Sequence, residues 1–452
     1  MNEQPVAKDQ QCRILKACSA AKVIVQVLII FIYISLTSAC SNLYSYEQTI
    51  LPRPVTSPTY QESLDEPVSE VIETPEVESP VVLRIWLPPQ FDPASPTPAG
   101  KILKDRLAEF SSRRPELRVE VRIKSESGPG GLLSSLESAN AAAPDALPDL
   151  VALPYNLLDP LAQKGILYPY KHMSEAINEP DWYPYALELA KRNENVFGLP
   201  FAGDALALIY RPQSVSTPPL KWSDVIQAGI PLVFPAANPQ SLVTVSDYQA
   251  NQGKIINEQN QPTLESSALA EVLTYYLNAK KSGIMPVWLT QYQSDEQAWD
   301  AYRDGLADML ISWVSKYLSI ISDEDKLSTI PTPQGNPSTL ATGWVWALAS
   351  REENRQRLTT ELANFLVDSR FLGELSQAAG YLPVRPSSFE HWPNTSTRVV
   401  LGQIARSARV IPSSEILSRT GPPIQKAITD VFSGKIYPIR AAQIAADSIT
   451  SP

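Results

Sequence analysis

Beyond residue 40 the chain contains no cysteine. The three cysteines among its 452 residues are Cys12, Cys18 and Cys40, so the folded region can carry neither a disulfide framework nor a thiolate metal site. Histidine is nearly as scarce. His172 and His391 are the only two, too few for a multi-histidine metal site, and neither stands beside an obvious nucleophile or acidic partner. No GxxxxGK[ST] phosphate loop is present, so the chain itself should hydrolyse no nucleotide. It has no cluster of Lys and Arg, and its net charge is −10. A nucleic-acid partner, which needs concentrated positive charge, is therefore not expected. No cofactor, no metal and no enzymatic activity are expected, and no internal repeat is found.

One apolar run stands out near the start. Lys8, Arg13, Lys16 and Lys22 precede the stretch from Val23 to Leu36, which is followed by Thr37, Ser38, Ala39 and Cys40. That order is the order of a signal peptide. The run is shorter than the roughly 20 residues that cross a bilayer comfortably, although extension through Ala39 nears the lower limit, so a retained membrane anchor is the other reading. The stretch Leu36-Thr37-Ser38-Ala39-Cys40 resembles the lipobox of bacterial lipoproteins, with Thr37 standing where an aliphatic residue is usual. The resemblance implies a signal peptide over residues 1–40 and lipidation of Cys40. Either reading puts the rest of the chain outside the cytoplasm and tethered to a membrane.

Residues 41–80 hold Pro52, Pro54, Pro58, Pro67, Pro75 and Pro80 among Ser, Thr and Glu, with Arg53 as the single base. This composition makes a disordered, self-repelling tether. From residue 81 strand and helix patterns alternate. Val81 to Leu87 reads as a buried strand, Leu103, Leu107 and Phe110 share a helical face, and Leu117 to Ile123 alternates as a second strand. A helix with Leu132, Leu133 and Leu136, a strand Leu150 to Leu153 and a helix ending at Gly165 follow. The alternation predicts an α/β unit with a mostly parallel sheet. Further on, strands are expected at Ala205 to Tyr210, Pro231 to Phe234, Asp308 to Trp313 and residues 341–349. Helices are expected around Trp222 to Ala228, Leu269 to Leu277 and Leu358 to Leu366, with a last clear one through Ile424 to Phe432.

In order and spacing, residues 81–452 resemble the extracellular solute-binding proteins of ABC importers, in particular the maltose-binding-like, sugar-binding lipoprotein group. The resemblance is carried by Leu147-Pro148-Asp149-Leu150-Val151 with Leu161 to Leu167, by the run Gly198-Leu199-Pro200-Phe201-Ala202-Gly203-Asp204-Ala205 to Tyr210, by Ile311-Ser312-Trp313 and by Thr342-Gly343-Trp344. It implies the type II periplasmic-binding-protein-like fold, two α/β lobes with a ligand cleft between them. The N-lobe would be residues 81–209 plus 329–380, and the C-lobe 210–328 plus 381–452. The implied function is that of a substrate-binding lipoprotein anchored to the outer face of the cytoplasmic membrane. It would capture a small solute, most simply a carbohydrate, and hand it to permease subunits.

A sugar offers flat C–H faces and many hydroxyls, so its site needs aromatic plates with carboxylates or amides. Asp204 lies where acidic members of the family accept from sugar hydroxyls; its bland role would be to cap a turn after Gly203. Trp313 and Trp344 stand where the family places stacking aromatics, although either could be core. Trp346 should share the face of Trp344, and Gly343 would let backbone approach the cleft. Tyr155, Asn156, Trp86 and Phe201 complete the candidate set, with a helix N-cap as the alternative for Asn156 and the core for Trp86. Thr420-Gly421-Pro422-Pro423 carries no tryptophan where maltose-type members stack one, so the sugar should differ. Competing readings are a receptor for a polyamine, phosphate or metal complex, an exported polysaccharide-acting enzyme with paired carboxylates, and a ligand-free scaffold.

Overall fold

The computed structural model describes residues 80–450 except 172–174, 193 and 321–323. The leader, Cys40, His172 and residues 41–79 of the expected tether lie outside the described residues. Strand β1 (Val81–Leu87), helix α1 (Pro98–Arg113), strand β2 (Leu117–Ile123), helix α2 (Leu132–Ala142), strand β3 (Leu150–Pro154) and helix α3 (Tyr155–Gln163) open the fold. β1 lies between β2 and β3 and is parallel to both. α1 buries Leu103, Leu107 and Phe110. Its cap Thr97 accepts from Gly100 N at 3.1 Å, and Pro98 occupies the first position, where a missing N–H costs nothing.

Next come α4 (Pro184–Ala190), a small hairpin of β4 (Lys191–Arg192) with β5 (Asn195–Val196), and the long strand β6 (Gly198–Tyr210). α5 (Trp222–Ala228), β7 (Leu232–Val233), α6 (Leu242–Ala250), α7 (Ser266–Lys281), α8 (Asp295–Arg303) and β8 (Met309–Trp313) follow, then α9 (Val314–Ser319) and β9 (Lys326–Ser328). β10 (Thr339–Leu348), α10 (Glu353–Phe365), α11 (Ser369–Ala379), α12 (Ser396–Ser407), β11 (Ala408–Val410), α13 (Ser414–Phe432) and α14 (Pro438–Thr450) complete the described chain.

The strands form one sheet in the order β2-β1-β3-β10-β6-β8-β7, with β11 beside β10 and β9 beside β6. The sheet is mixed, where a mostly parallel one was expected. β10 is antiparallel to β3 and to β6, and β6 is antiparallel to β8 and β9. β6 is the reason the sheet is continuous. Its residues Gly198 to Ala205 face β10, and its residues Leu206 to Tyr210 face β8. Leu382 also bonds back to β6, exchanging N–H···O contacts of 2.8 Å with Gly203 in both directions. Chain segments near residues 203–208, 328 and 382 thus converge on one strand.

β6 begins seven residues earlier than the sequence pattern suggests, because Gly198, Pro200 and Gly203 read as breakers. The structure absorbs Pro200 beside a register irregularity between β6 and β10 at Trp344/Val345, which is where proline is tolerated within a sheet. Asp149, the acid of the Leu147-Pro148-Asp149 motif, holds the first strands to α10. It is buried, accepts from Arg84 N at 2.8 Å, and takes a two-pronged bond from Arg355 Nε at 2.7 Å and Nη2 at 2.6 Å. Such a fork is the strongest geometry a carboxylate makes with arginine.

Candidate ligand-binding site

Where β6, β8 and β10 meet, a cavity of about 410 Å³ opens. β6 contributes Asp204, β10 contributes Thr342 directly opposite it, and β8 contributes Ser312 and Trp313. Ser315 and Lys316 come from α9, which starts immediately after Trp313, while Ser294, Asp295 and Glu296 come from the start of α8. Three strands and the starts of two helices therefore supply an indole, three carboxylates, one ammonium and four hydroxyls.

Asp204 is nearly buried within β6. Its Oδ1 accepts from Ala205 N and Ser315 N, both at 2.9 Å, and its Oδ2 accepts from the Ser315 hydroxyl at 2.5 Å. Burial pushes its carboxyl up to about 7, the Ser315 and Ala205 donors pull the other way, and the charge of Asp295 adds to the rise. Trp313 is half-buried, and its Nε1 donates to Asp295 Oδ2 at 3.3 Å. Asp295 opens α8 behind Ser294, whose hydroxyl accepts from Gln297 N in a capping box. Burial raises the Asp295 carboxyl as well, with the Trp313 bond opposing. On the rim, Lys316 Nζ lies 2.5 Å from Glu296 Oε1.

The other candidate residues lie elsewhere. Trp344 meets Phe91 edge-on at 5.4 Å, Phe91 meets Phe201 at 5.0 Å, and Phe201 stacks on Trp346 at 4.3 Å. Trp344 and Trp346 do share a face, as the strand alternation requires. All four rings are buried, and none lines the Asp204 cavity. Gly343 has a packing reason rather than a cleft-facing one: a Cβ there would lie 2.5 Å from Ala202 O and 2.8 Å from Leu189 Cδ1. Trp86 is buried in β1, with Lys124 Nζ 4.7 Å from its ring.

Tyr155 and Asn156 line a separate cavity of about 380 Å³, together with Asp159, Arg192 and the segment Ile411 to Glu415. There the Arg192 guanidinium sits 4.3 Å from the Tyr155 ring and pairs with Asp159 at 2.5 Å. Asn156 is not an N-cap, because Pro154 occupies that position and Asn156 is the second residue of α3. Asp204 does cap, but it caps α9 through Ser315 rather than the turn after Gly203. The sequence pattern missed Asp295, Glu296, Ser312, Ser315, Lys316 and Thr342 as wall residues. Only the Ser294-x-x-Gln297 box gave a local signal, marking where α8 begins.

Residues 108–397 match the model of the bacterial extracellular solute-binding protein family. The chain belongs to this family. This solute-binding protein shares the type II periplasmic-binding-protein-like fold, and solved structures resemble it over most of its length. Maltose-bound T. maritima MalE3 aligns at a TM-score of 0.62 and 17% identity, over 82% of this chain and 99% of that one. The cyclic α-maltosyl-1,6-maltose binding protein of Arthrobacter globiformis aligns at 0.69 and 15%, over 82% and 98%. An ABC transporter solute-binding protein of Thermotoga lettingae, bound with α-D-tagatose, aligns at 0.60 and 18%, again over 82% and 98%. At such identities the likeness shows the fold alone. No curated protein matches the sequence. An extracellular binding family implies export, and among the described residues no helix is long and apolar enough to cross a membrane.

Proposed function

We propose that this solute-binding protein is the substrate-binding lipoprotein of an ABC importer, capturing a small carbohydrate outside the cell and delivering it to membrane permease subunits. In this reading Cys40 carries the lipid and residues 41–80 are the tether. Residues 81–209 with 329–380 form one lobe and residues 210–328 with 381–452 the other, hinged where β6 changes partners. Hinge closure around a solute is an established mode of domain motion.

One observation carries the reading: the cavity at the β6–β8–β10 junction sets the Trp313 indole beside fixed carboxylates and hydroxyls. A sugar needs that combination, since its C–H faces want an aromatic plate and its hydroxyls want acceptors once water leaves. Asp204 and Trp313 are the first contacts of this proposal, with Tyr155 and Asn156 on the separate second cavity. Trp344, Phe201 and Trp86 are packed core aromatics away from this cavity. The maltose, cyclic maltosyl-maltose and tagatose complexes of similar fold lend support. Both oxygens of Asp204 are held by protein donors, which suits a fixed acceptor better than a proton-shuttling acid.

A thermal-shift screen of mono- and oligosaccharides tests this. At least one should raise the unfolding temperature, and the rise should grow with the logarithm of its concentration once that exceeds Kd, as mass action requires. Failure of every saccharide, or release of hydrolysed products from an oligosaccharide, would sink the proposal.

A further inference from the structure

The two most exposed large apolar side chains among the described residues stand two positions apart, where α14 begins. Tyr437 is 83% exposed and Ile439 77%, and Ile444 further along the helix is open to solvent as well. Such side chains are costly to leave in water. We infer that this corner of the fold is a membrane-contacting face, which lies against the anionic headgroups of a bilayer with Tyr437 and Ile439 set into the interface. The inference goes beyond the carbohydrate reading and uses none of its residues.

The surface beside the two side chains is apolar too. Between α13 and α14 runs a cavity of about 330 Å³, lined by Pro422, Pro423, Ala427, Ile436, Ala441 and Ile444 among others. Around it, folding assembles positive charge that no run in the sequence announces. Lys426, Lys435 and Arg440 are exposed on either side of the α13–α14 turn. Lys280 Nζ donates to Phe432 O at 2.6 Å, which brings the C-terminal end of α7, with the exposed Lys281, to the same turn. The acids of this part of α13 and α14 already have partners. Asp430 is mostly buried and pairs with Lys426 at 2.6 Å and Lys435 at 4.0 Å, while Asp447, further along α14, accepts from Gln443 at 2.8 Å. Lysines and an arginine from three helix ends therefore surround an exposed tyrosine and two isoleucines, on a chain whose net charge is −10.

An anionic bilayer surface complements both halves of that pattern. Aromatic and aliphatic side chains settle at the boundary between headgroups and acyl chains, lysine and arginine stems reach up to the phosphates, and each cation near the surface adds attraction. Other occupants fit less well. A second copy docked by two-fold symmetry would set these cations against themselves. A neutral apolar protein surface would bury them without partners. A small solute in the cavity would leave Tyr437 and Ile439, which do not line it, in water.

The test is hydrogen–deuterium exchange of the full chain on vesicles of phosphatidylcholine alone and of phosphatidylcholine with phosphatidylglycerol. Amides of residues 435–445 should exchange about threefold or more slowly on the anionic vesicles than on the neutral ones, and the difference should fade at high salt. Amides around Val399, an exposed apolar residue on α12, should not respond. Lys435→Glu with Arg440→Glu, and separately Tyr437→Ser with Ile439→Ser, should each abolish the slowing. All four side chains are exposed, so the unfolding temperature should hold in both variants. Absence of slowing overturns the inference, as does equal slowing on the two vesicles. Equal slowing around Val399 also overturns it, being the mark of tethering alone. Slow exchange without vesicles, released by deleting residues 41–79, assigns the face to that acidic segment of the chain and overturns the membrane. No saccharide enters the measurement, so none of these outcomes bears on the carbohydrate reading.

Discussion

The Asp204 carboxylate on β6 accepts both the backbone N–H and the hydroxyl of Ser315, the second residue of α9, at 2.9 and 2.5 Å. A helix that begins on one strand is thus capped by an acid from another. The bond ties β6 to α9 at the mouth of the cavity, and it leaves Asp204 oriented before any ligand arrives. Preorganisation of this kind lowers the ordering cost of binding.

Replacing Ser315 with Ala keeps the backbone donor and removes the hydroxyl. The variant should lose about 1 kcal/mol of stability, the net worth of such a bond, as read by urea denaturation. Because that hydroxyl opposes the effect of burial on Asp204, the carboxyl should also titrate at higher pH in the variant. A carboxyl signal followed by NMR or infrared would check this, and an unchanged or lower midpoint would contradict it.

A second buried acid lies away from the cavity. Asp247, on α6, accepts from Tyr276 Oη at 2.8 Å, and burial raises its carboxyl to about 7. Between the ordinary carboxyl value of 3.8 and about 7, the folded state thus holds a proton that the unfolded chain has released. Folding stability from this group is full below pH 3.8 and is lost progressively as pH climbs through about 7. Asp204 acts in the same sense. The unfolding temperature should therefore fall between pH 5 and pH 8. Asp247→Asn should flatten that fall, performing better relative to the parent at pH 8 than at pH 5. Parallel profiles for the two proteins would refute the assignment.

Trp313 and Trp344 should respond differently to truncation. Trp313 is half-buried on the cavity wall, so Trp313→Ala should weaken saccharide binding by roughly tenfold or more with a modest change in stability. Trp344 sits edge-on against Phe91 inside the aromatic cluster, so Trp344→Ala should cost about 3 kcal/mol or more of folding stability. Denaturant curves and calorimetry on both variants separate the two roles. Equal effects of the two substitutions on binding would show that Trp344 reaches the guest.

Gly421, inside α13, packs directly against the main chain at Pro239 and Gln240. A Cβ at this position would lie 2.2 Å from Pro239 O and 2.9 Å from Gln240 Cα. This face of α13 is pressed against backbone, so no side chain fits without moving a main-chain segment. Gly421→Ala should destabilise by about 1–3 kcal/mol, the usual range for overpacking. Gly421→Trp should be worse and should confer no affinity for maltose. A stable Gly421→Trp protein that gains maltose binding would prove the opposite.

Much of the fold was legible because its strands are apolar runs between clear turns. β1, β2 and β3 fall within a residue of their predicted ends, and the stripe Leu103, Leu107, Phe110 is the buried face of α1. The sheet direction was not legible. Antiparallel partners such as β10 and β6 come from segments more than a hundred residues apart, and nothing local reports which way they run. The start of β6 was hidden by Pro200 and two glycines, and α14 was not anticipated behind its exposed Tyr437 and Ile439. In the site, Asp204 and Trp313 stood out because each ends or begins an apolar run. Asp295, Glu296 and Lys316 did not, since an acid in a helix's first turn reads as ordinary capping.

β6 passes from one set of neighbours to the other between Ala205 and Leu206, with no intervening loop. Gly203 is flanked by β10 and by Leu382, and Leu208 by β8 and β9, so the chain is covered on both edges at these two positions. Deuterium should enter the amides of Gly203 and Leu208 late, close to global unfolding, which makes these two positions an internal clock for overall stability. Amides at the start of α8 and along α9, held by fewer neighbours, should exchange sooner and slow down once a guest is bound.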